Sequence, residues 1–324
     1  MNKQKRKSDI IRDELISNPS VPSLTLAKML CKRHPELFDG VERARNLIRM
    51  IRGRRGVESR RLAEKLDAMM NSKYEAPPTY KIEDGKWLIL ADIHIPFHST
   101  QAIEMAINEG KKQKVNGILL LGDIVDGYQI SSFVCRPDIA LFREEKMKTE
   151  MFLEILRDEF PKADIIWKMG NHDDRILTYI AQHAPAIFDE EYLCWQEMLH
   201  LYEYKIKTIA SNQLIHFGKL TILHGHEFGQ GFFTSVNPAR SLFLKTKACS
   251  LCAHHHQTSQ HNETNVNEEL ITCWSIGCLC NLHPLYRPIT KWNYGFAIAE
   301  ITNKGKGHFK VRNFRLLPNM ELVD

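Results

Sequence analysis

The chain has 324 residues, 43% hydrophobic and 26% charged, enough for one large domain with a small companion or for two medium ones. No run approaches the ~18 consecutive apolar residues of a membrane span, and the basic residues 1–15 lack the apolar segment of a secretory signal. A cytoplasmic protein with no membrane partner is therefore expected, its eight cysteines serving as thiols or metal ligands.

The net charge of +5 is unevenly spread. Residues 1–73 hold 18 Lys and Arg against 9 Asp and Glu, so the rest of the chain is mildly acidic. A basic head on such a body points to a polyanion, nucleic acid first. The plainer alternative is a solvated helical face.

Residues 8–70 read as helical. SDIIRDELI forms one amphipathic set, and after the break at NPSVPS the Ser23 hydroxyl is placed to cap a helix over LTLAKMLCKRHPEL. VERARNLIRM puts Val41, Ala44, Leu47 and Ile48 near one helical face, and the basic stretch IRGRRGVESRR follows. Three short helices with a basic end loosely resemble a helix-turn-helix module. A bare helical appendage or an oligomerisation element fits the same outline, and the oligomeric state is left open. This gives a domain over residues 1–70. Residues 71–83 read as a linker, because Pro77 and Pro78 exclude a helix interior and favour extended chain.

From residue 84 the pattern changes to apolar runs that stop at polar residues, separated by helical stretches. WLILADIH, NGILLLGDIVDG, ADIIWKMGNHDDR, KLTILHGHEFG and KACSLCAHHHQ each read as a strand ending at a site, with helices over residues 100–114 and 140–159. The alternation is that of βαβ units, whose functional residues gather at the carboxyl ends of strands. NYGFAIAEI and HFKVRNFRLL read as two further strands joined at NKGKG, and residues 259–269 as a polar surface loop.

The five strand ends carry Asp92 and His94; Asp123 and Asp126; Asn171, His172 and Asp173; His224 and His226; and His254, His255 and His256. Their carboxylate, amide and imidazole donors form a mixed nitrogen and oxygen set, suited to Mn, Fe or Zn. In extended chain, residues i and i+2 point the same way, so each Asp-x-His or His-x-His pair is expected to face one cavity. Any single pair also arises as ordinary polar loop residues. Asp123 alone reads equally as a helix cap, and Asn171 alone as a turn residue. Five recurrences at strand ends are not explained in that way.

In order, these blocks read Asp92-Ile-His94, Gly122-Asp123-Ile-Val-Asp126, Gly170-Asn171-His172-Asp173, His224-Gly225-His226 and Ala253-His254-His255-His256. The series resembles that of the calcineurin-like metallophosphoesterases over residues 84–315. The resemblance implies an α/β sandwich of two mixed β-sheets flanked by helices, over residues 84–324, with the small all-helical N-terminal domain appended. It implies two divalent ions, manganese first, with iron, zinc, nickel or magnesium as alternatives. Asp92, His94, Asp123 and His256 would hold one ion, and Asp123, Asn171, His224 and His254 the other, with Asp123 bridging. His172 would contact the phosphoryl group and assist the leaving oxygen, Asp126 would support the site, and Asp173 would orient His172. The implied mechanism is in-line attack by metal-bound hydroxide. Ala253 stands where the family has glycine, a small change that fits wherever φ is negative. His255 should face away from the metals.

Other readings have plainer rivals. Arg175 is placed to reach a substrate phosphate or to pair with Asp173 or Asp174. Arg240, in the insertion FFTSVNPARSLF, borders the expected cleft, where Phe232 and Phe233 either stack on a base or pack the loop onto the body. His226 is grouped with Arg175 and Arg240 as substrate-facing. Cys249, Cys252, Cys278 and Cys280 invite a structural zinc site, although free cysteines in a buried strand are ordinary small hydrophobes. Residues 276–296 and the opening DIHIPFH resemble phosphoesterases of bacteriophages, which makes DNA the favoured nucleic acid and a bacterial host cytoplasm the expected setting.

Three functions follow. The first is a phosphodiesterase or nuclease whose basic head brings nucleic acid to the metals. The second is a phosphomonoesterase acting on a nucleotide, metabolite or phosphoprotein. The third is a non-catalytic nucleic-acid-binding or particle-associated protein.

Overall fold

Three helices, α1 (Lys7–Ser17), α2 (Ser23–Arg33) and α3 (Val41–Arg52), form the described part of the N-terminal unit in this computed structural model. The structure describes residues 6–52, 77–133, 135–136, 138–189, 191–229, 236–284 and 287–324. The basic stretch beyond Arg52 and the pair Phe232 and Phe233 lie outside the described residues. The chain divides into two units, Met1–Glu75 and Ala76–Asp324.

In the first unit, Ile11, Leu15, Leu26, Ala27, Leu30, Phe38, Ala44 and Ile48 close a small core. Their spacing of three and four residues puts them on the inner faces of the helices. Ser23 does not cap α2 through its side chain; it is the first helical residue, and its hydroxyl accepts from Arg52 Nη1 at 3.1 Å. The outer face of α3 exposes Arg43, Asn46, Arg49 and Met50. Arg43 pairs with Asp39 on that face, and Arg45 with Glu42 at 3.1 Å.

The second unit is a sandwich of two mixed sheets flanked by helices. Its seven-stranded sheet has the order β13-β12-β11-β2-β3-β4-β5, and its six-stranded sheet the order β1-β6-β7-β8-β10-β9. In the first sheet, β2 (Lys86–Leu90), β3 (Gly117–Leu121), β4 (Asp164–Lys168) and β5 (Ile206–Ile209) run parallel. They are extended by the antiparallel β11 (Gly295–Asn303), β12 (His308–Leu316) and β13 (Leu322–Val323). The second sheet joins β1 (Tyr80–Ile82), β6 (Ile215–Phe217), β7 (Leu220–Ile222), β8 (Ser250–Cys252), β10 (Leu270–Ser275) and β9 (Ser259–Thr264).

Alternation along the strands decides what each face packs against. Trp87, Ile89, Leu119 and Leu121 meet Phe217, Leu220, Ile222 and Leu251 between the sheets. Leu88, Leu90, Ile118 and Leu120 turn to the other side, where α4 (Thr100–Lys112) and α5 (Phe142–Glu159) contribute Ile103, Ala106, Phe152 and Leu156. Because both faces of β3 are covered, all five of its residues are buried, which is why its sequence is an unbroken apolar run. Burying each such Leu or Ile stabilises by about 2 kcal/mol.

Two stretches differ from the sequence reading. Tyr80–Ile82, taken as linker, pairs in parallel with β6, so the sandwich begins before residue 84. Residues 259–264, taken as loop, form the antiparallel edge strand β9 on β10. Among the described residues, no helix is long and apolar enough to cross a membrane.

Candidate metal centre

The carboxyl ends of β2, β3 and β4 lie side by side, and the ends of β7 and β8 meet them from the other sheet. The chain does not remain extended there. Asp92 and His94 both have φ 50°, Asp123 52°, His254 66° and His256 56°. The Asp-x-His and His-x-His pairs therefore aim their side chains from left-handed positions rather than from a continued strand. For residues with a Cβ this costs about 1 kcal/mol each, and backbone hydrogen bonds between the blocks hold the conformation. Asp92 N–H donates to Gly122 O (3.1 Å), His94 N–H to Asp123 O (3.0 Å), and Ala253 N–H to His224 O (2.8 Å). The Asp92 carboxylate itself accepts from His254 N–H at 2.9 Å.

Two glycines make room for this packing. Gly122 has φ +81°, and a Cβ there would stand 2.4 Å from His224 Nδ1; a Cβ on Gly170 would stand 2.3 Å from Asp123 Oδ1. Ala253 causes no such problem, its backbone having none of the positive φ of its neighbours.

The donor atoms converge. His94, Asp123 and His172 form one group, Asp123, His224 and His254 a second, and His94, His256 and Cys280 a third, the atoms of each lying within 4.8 Å of one another. Asp123 Oδ2 is 3.1 Å from His224 Nε2, 3.9 Å from His94 Nε2 and 4.0 Å from His254 Nδ1, so one oxygen faces both sides of the centre. Asp92 Oδ1 is 3.4 Å from His256 Nε2 and 4.0 Å from His224 Nε2. Asp92 Oδ1, Asn171 Oδ1 and His224 Nε2 are buried and have no hydrogen-bond partner. Buried polar atoms normally have one, and a carboxylate oxygen, an amide oxygen and an imidazole nitrogen are the donor types that such divalent ions take. The residues fit a dinuclear metal site.

Supporting groups fix the donors. His94 Nδ1 donates to Asp126 Oδ1 at 2.8 Å and His224 Nδ1 to Leu121 O at 2.7 Å, leaving each Nε2 turned inward. Asp126 thus orients a donor. Asp173 does not orient His172, as was expected. Its buried carboxylate accepts from the N–H groups of Asp123, Ile124, Val125 and Gly170 and from the Trp167 indole, at 2.7–3.2 Å. It thereby shapes the loop that carries Asp123. His172 instead donates through Nδ1 to Asp126 O (2.9 Å). Arg175 pairs with neither Asp173 nor Asp174: Nη1 donates to Asp126 O (2.7 Å), and Nη2 faces His172 Nε2 at 3.1 Å.

His226 lies beside the centre, its ring centroid 5.3 Å from that of His224 and 6.3 Å from that of His254. His255 turns toward α6 (Pro238–Thr246), where it borders Ser241, Leu242 and Lys245. Arg240 is exposed on the first turn of α6. Among the described residues, no hydrogen bond or ion pair joins its side chain to the centre.

The four cysteines are not brought together; among the described residues, no donor group contains Cys249 or Cys252, and all eight cysteines are free. Cys252 ends β8 in the core, whereas Cys249 precedes the strand and is half-buried.

Three supporting residues gave no motif in the sequence. Buried Lys168 pairs with Glu227 (2.9 Å), whose carboxylate accepts from His224 N–H (3.0 Å) and Gly225 N–H (2.6 Å). Glu145 accepts from Gly127 N–H at 2.5 Å, next to Asp126. A lysine directly following the apolar run Ile165–Trp167, as Lys168 does in DIIWK, was the one available signal.

Burial is the largest influence on these groups and opposes every charge. In His224 it is outweighed by Asp123 and Asp92, which raise the ring to about 9. In His256 it is outweighed chiefly by Asp92, and the ring rises to about 10. Burial, seconded by His224, pushes His254 down to about 3. Asp123 is held well below the carboxylate range, because His224, His172 and His94 outweigh its burial.

A two-layer sandwich with a mixed nitrogen and oxygen donor set at one end is the architecture of a dinuclear metal protein. The family model for calcineurin-like phosphoesterases matches residues 85–272, and the chain belongs to that family. A search of the curated proteins gives no significant match. Among solved structures, the chain is similar to Yfce, a phosphoesterase from E. coli, at 13% identity and TM-score 0.37, covering 74% of this chain and 97% of that one. Vacuolar Protein Sorting 29 from Cryptosporidium parvum is 12% identical with TM-score 0.38, over 74% and 96% of the two chains. A dimetal phosphatase from Danio rerio is 10% identical with TM-score 0.32, over 69% and 93%.

Proposed function

We propose that this protein hydrolyses phosphodiesters in nucleic acid or nucleotides, using two divalent ions, manganese first. The observation that carries the reading is the single Asp123 oxygen facing His94 on one side and His224 and His254 on the other. Asp92, His94, Asp123 and His256 would hold one ion, and Asp123, Asn171, His224 and His254 the other. Bound there, such a pair supplies an activated water and neutralises charge on the phosphoryl oxygens.

The chain's own groups do the rest. A proton for the leaving oxygen would be held at His172 Nε2, the nitrogen that Arg175 Nη2 faces. With that proton in place, Arg175 turns its donor toward a phosphoryl oxygen. Asp126 keeps His94 and His172 in register through its side chain and its carbonyl.

A polyanionic substrate is favoured by the surplus of Lys and Arg in residues 1–73. On this reading the three N-terminal helices serve as a helix-turn-helix-like docking module for DNA, with Arg49 on its open face. The resemblance to phage phosphoesterases agrees with DNA as the partner, and the eight free thiols agree with a reducing cytoplasm.

The test is hydrolysis of bis-p-nitrophenyl phosphate beside p-nitrophenyl phosphate by the manganese-loaded chain, with His172→Ala as control. Diester cleavage that falls about 100-fold or more in the variant, at unchanged metal content, is expected. Cleavage of the monoester alone would replace this reading with a phosphatase. Inertness toward both at full metal loading would replace it with a non-catalytic binding protein.

A further inference from the structure

Two of the inward-facing histidines have partners of an ordinary kind, a carboxylate for His94 and a backbone carbonyl for His224. His256 does not. Its Nε2 points into the centre, 3.3 Å from His94 Nε2 and 3.4 Å from Asp92 Oδ1. Its Nδ1 points away and meets the sulfur of Cys280 at 3.7 Å, both residues being buried.

The strap that carries this sulfur is built into the centre. Leu279 N–H donates to Asp92 O (3.1 Å), Asn281 N–H to Phe97 O (2.7 Å), and Ser99 N–H to Leu279 O (2.8 Å). From the other side, Cys278 N–H donates to Asn293 O (3.0 Å), and Asn293 N–H donates to His256 O (2.9 Å). Residues 278–281 thus tie the Asp92 block to the His256 block by main-chain bonds. The backbone that carries the buried Cys280 is set by that frame.

We propose that Cys280 is the positioning residue for His256. Its sulfur accepts the Nδ1–H, so that Nε2, aimed at Asp92 and His94, is the nitrogen that would give up its hydrogen to a bound ion. An imidazole presents a lone pair at only one nitrogen when neutral, and the partner of the second nitrogen selects which one. Water cannot replace the sulfur without room to enter, and both groups are enclosed. Removing it takes away the acceptor at 3.7 Å and leaves the ring only its interaction with the buried Cys278 thiol. This rests on the metal-centre reading above, and the test separates the two.

The experiment is titration of the metal-free full chain with Mn2+, followed by calorimetry and by the manganese spin-resonance signal. Wild type is compared with Cys280→Ala, Cys280→Ser and Cys273→Ala. Cys273 is a buried thiol bonded to Ala248 O, away from the donors. Cys280→Ala should weaken one of two binding steps by about 10–100-fold. Cys280→Ser, which keeps an acceptor, should recover most of that loss, and Cys273→Ala should bind like wild type.

Thermal unfolding of the metal-free variants shows whether Cys280→Ala folds. If it does not, the serine variant against wild type decides, near-equal affinity supporting the proposal and a loss as large as 100-fold overturning it. Equal affinity of wild type and Cys280→Ala would overturn the inference while leaving the centre intact. A sulfur-to-metal charge-transfer band in the Co2+ form, lost in Cys280→Ala, would overturn it in favour of direct ligation. A wild type that binds no Mn2+ would overturn the centre and the inference together.

Discussion

Lys168 Nζ lies 2.9 Å from Glu227 Oε1, with the lysine wholly buried at the end of β4. The ammonium also donates to Ser211 O at 2.7 Å, and the carboxylate holds the N–H groups of His224 and Gly225. Burial raises the Glu227 carboxyl, but Lys168 and then His226 outweigh it and bring it to about 2. Lys168→Met would leave this carboxylate without its counter-ion, a loss of about 3–5 kcal/mol. The sign with pH follows. For a depressed carboxylate the contribution is complete above the ordinary value of 4.5 and is lost as pH falls through about 2. In Lys168→Met the carboxyl is no longer held far below 4.5, so this loss between 4.5 and about 2 should shrink. Urea unfolding of the metal-free chain between pH 3 and 7 checks both, and a change below about 1 kcal/mol at neutral pH would refute the pairing's importance.

Asp173 should matter for loop geometry more than for chemistry. Its two oxygens take five N–H donors, four of them from the backbone around Asp123 and Gly170. Asp173→Asn turns an amide NH2 toward those donors, at a cost of about 2–4 kcal/mol. The variant is expected to unfold earlier and to bind both ions more weakly. Wild-type stability with only the catalytic rate reduced would instead place Asp173 at the substrate.

Protons and metals compete for the same nitrogens. In the metal-free chain His224 is raised to about 9 and His256 to about 10, so both are protonated at pH 7 and must lose their protons to serve as donors. Raising the pH from 7 toward 9 should therefore tighten Mn2+ binding, with close to one proton released per histidine at the lower pH. Calorimetry in buffers of different ionisation enthalpy measures that release directly. Affinity independent of pH over this interval would contradict the raised values.

The N-terminal unit gives a separate prediction, since it does not depend on the metals. Arg49 is exposed on α3 between Asn46 and Met50, whereas Arg43 and Arg45 are taken up by Asp39 and Glu42. If this face meets duplex DNA, Arg49→Ala in the full chain should make the slope of log affinity against log salt shallower by about one phosphate. The hydrolysis of a small chromogenic diester should not change. An unaltered slope would direct attention away from α3.

The donors were legible because each block is local. Asp92 with His94, or His254 with His256, falls within three residues at the end of an apolar run, and local pattern is what a single sequence displays. Their conformation was not legible, since left-handed φ at Asp92 and His256 comes from main-chain bonds to segments tens or hundreds of residues away. The same holds for Asp173, whose partners at Asp123, Ile124 and Val125 lie about 50 residues upstream. Tyr80–Ile82 escaped because a three-residue strand behind two prolines has no periodicity to show. Ser259–Thr264 escaped because an edge strand with mostly exposed side chains needs no apolar alternation.

The seven-stranded sheet provides Asp92, His94, Asp123 and Asn171, and the six-stranded sheet provides His224, His254 and His256. Ions held among them would act as rivets across the mouth of the sandwich. The two layers could then not part at this end while the ions stayed in place. Stripping the metal should loosen the facing ends of β3 and β8 together, seen as a joint rise in amide exchange, while β12 keeps its protection. A long substrate would have to cross the rim of the mouth rather than thread between the layers.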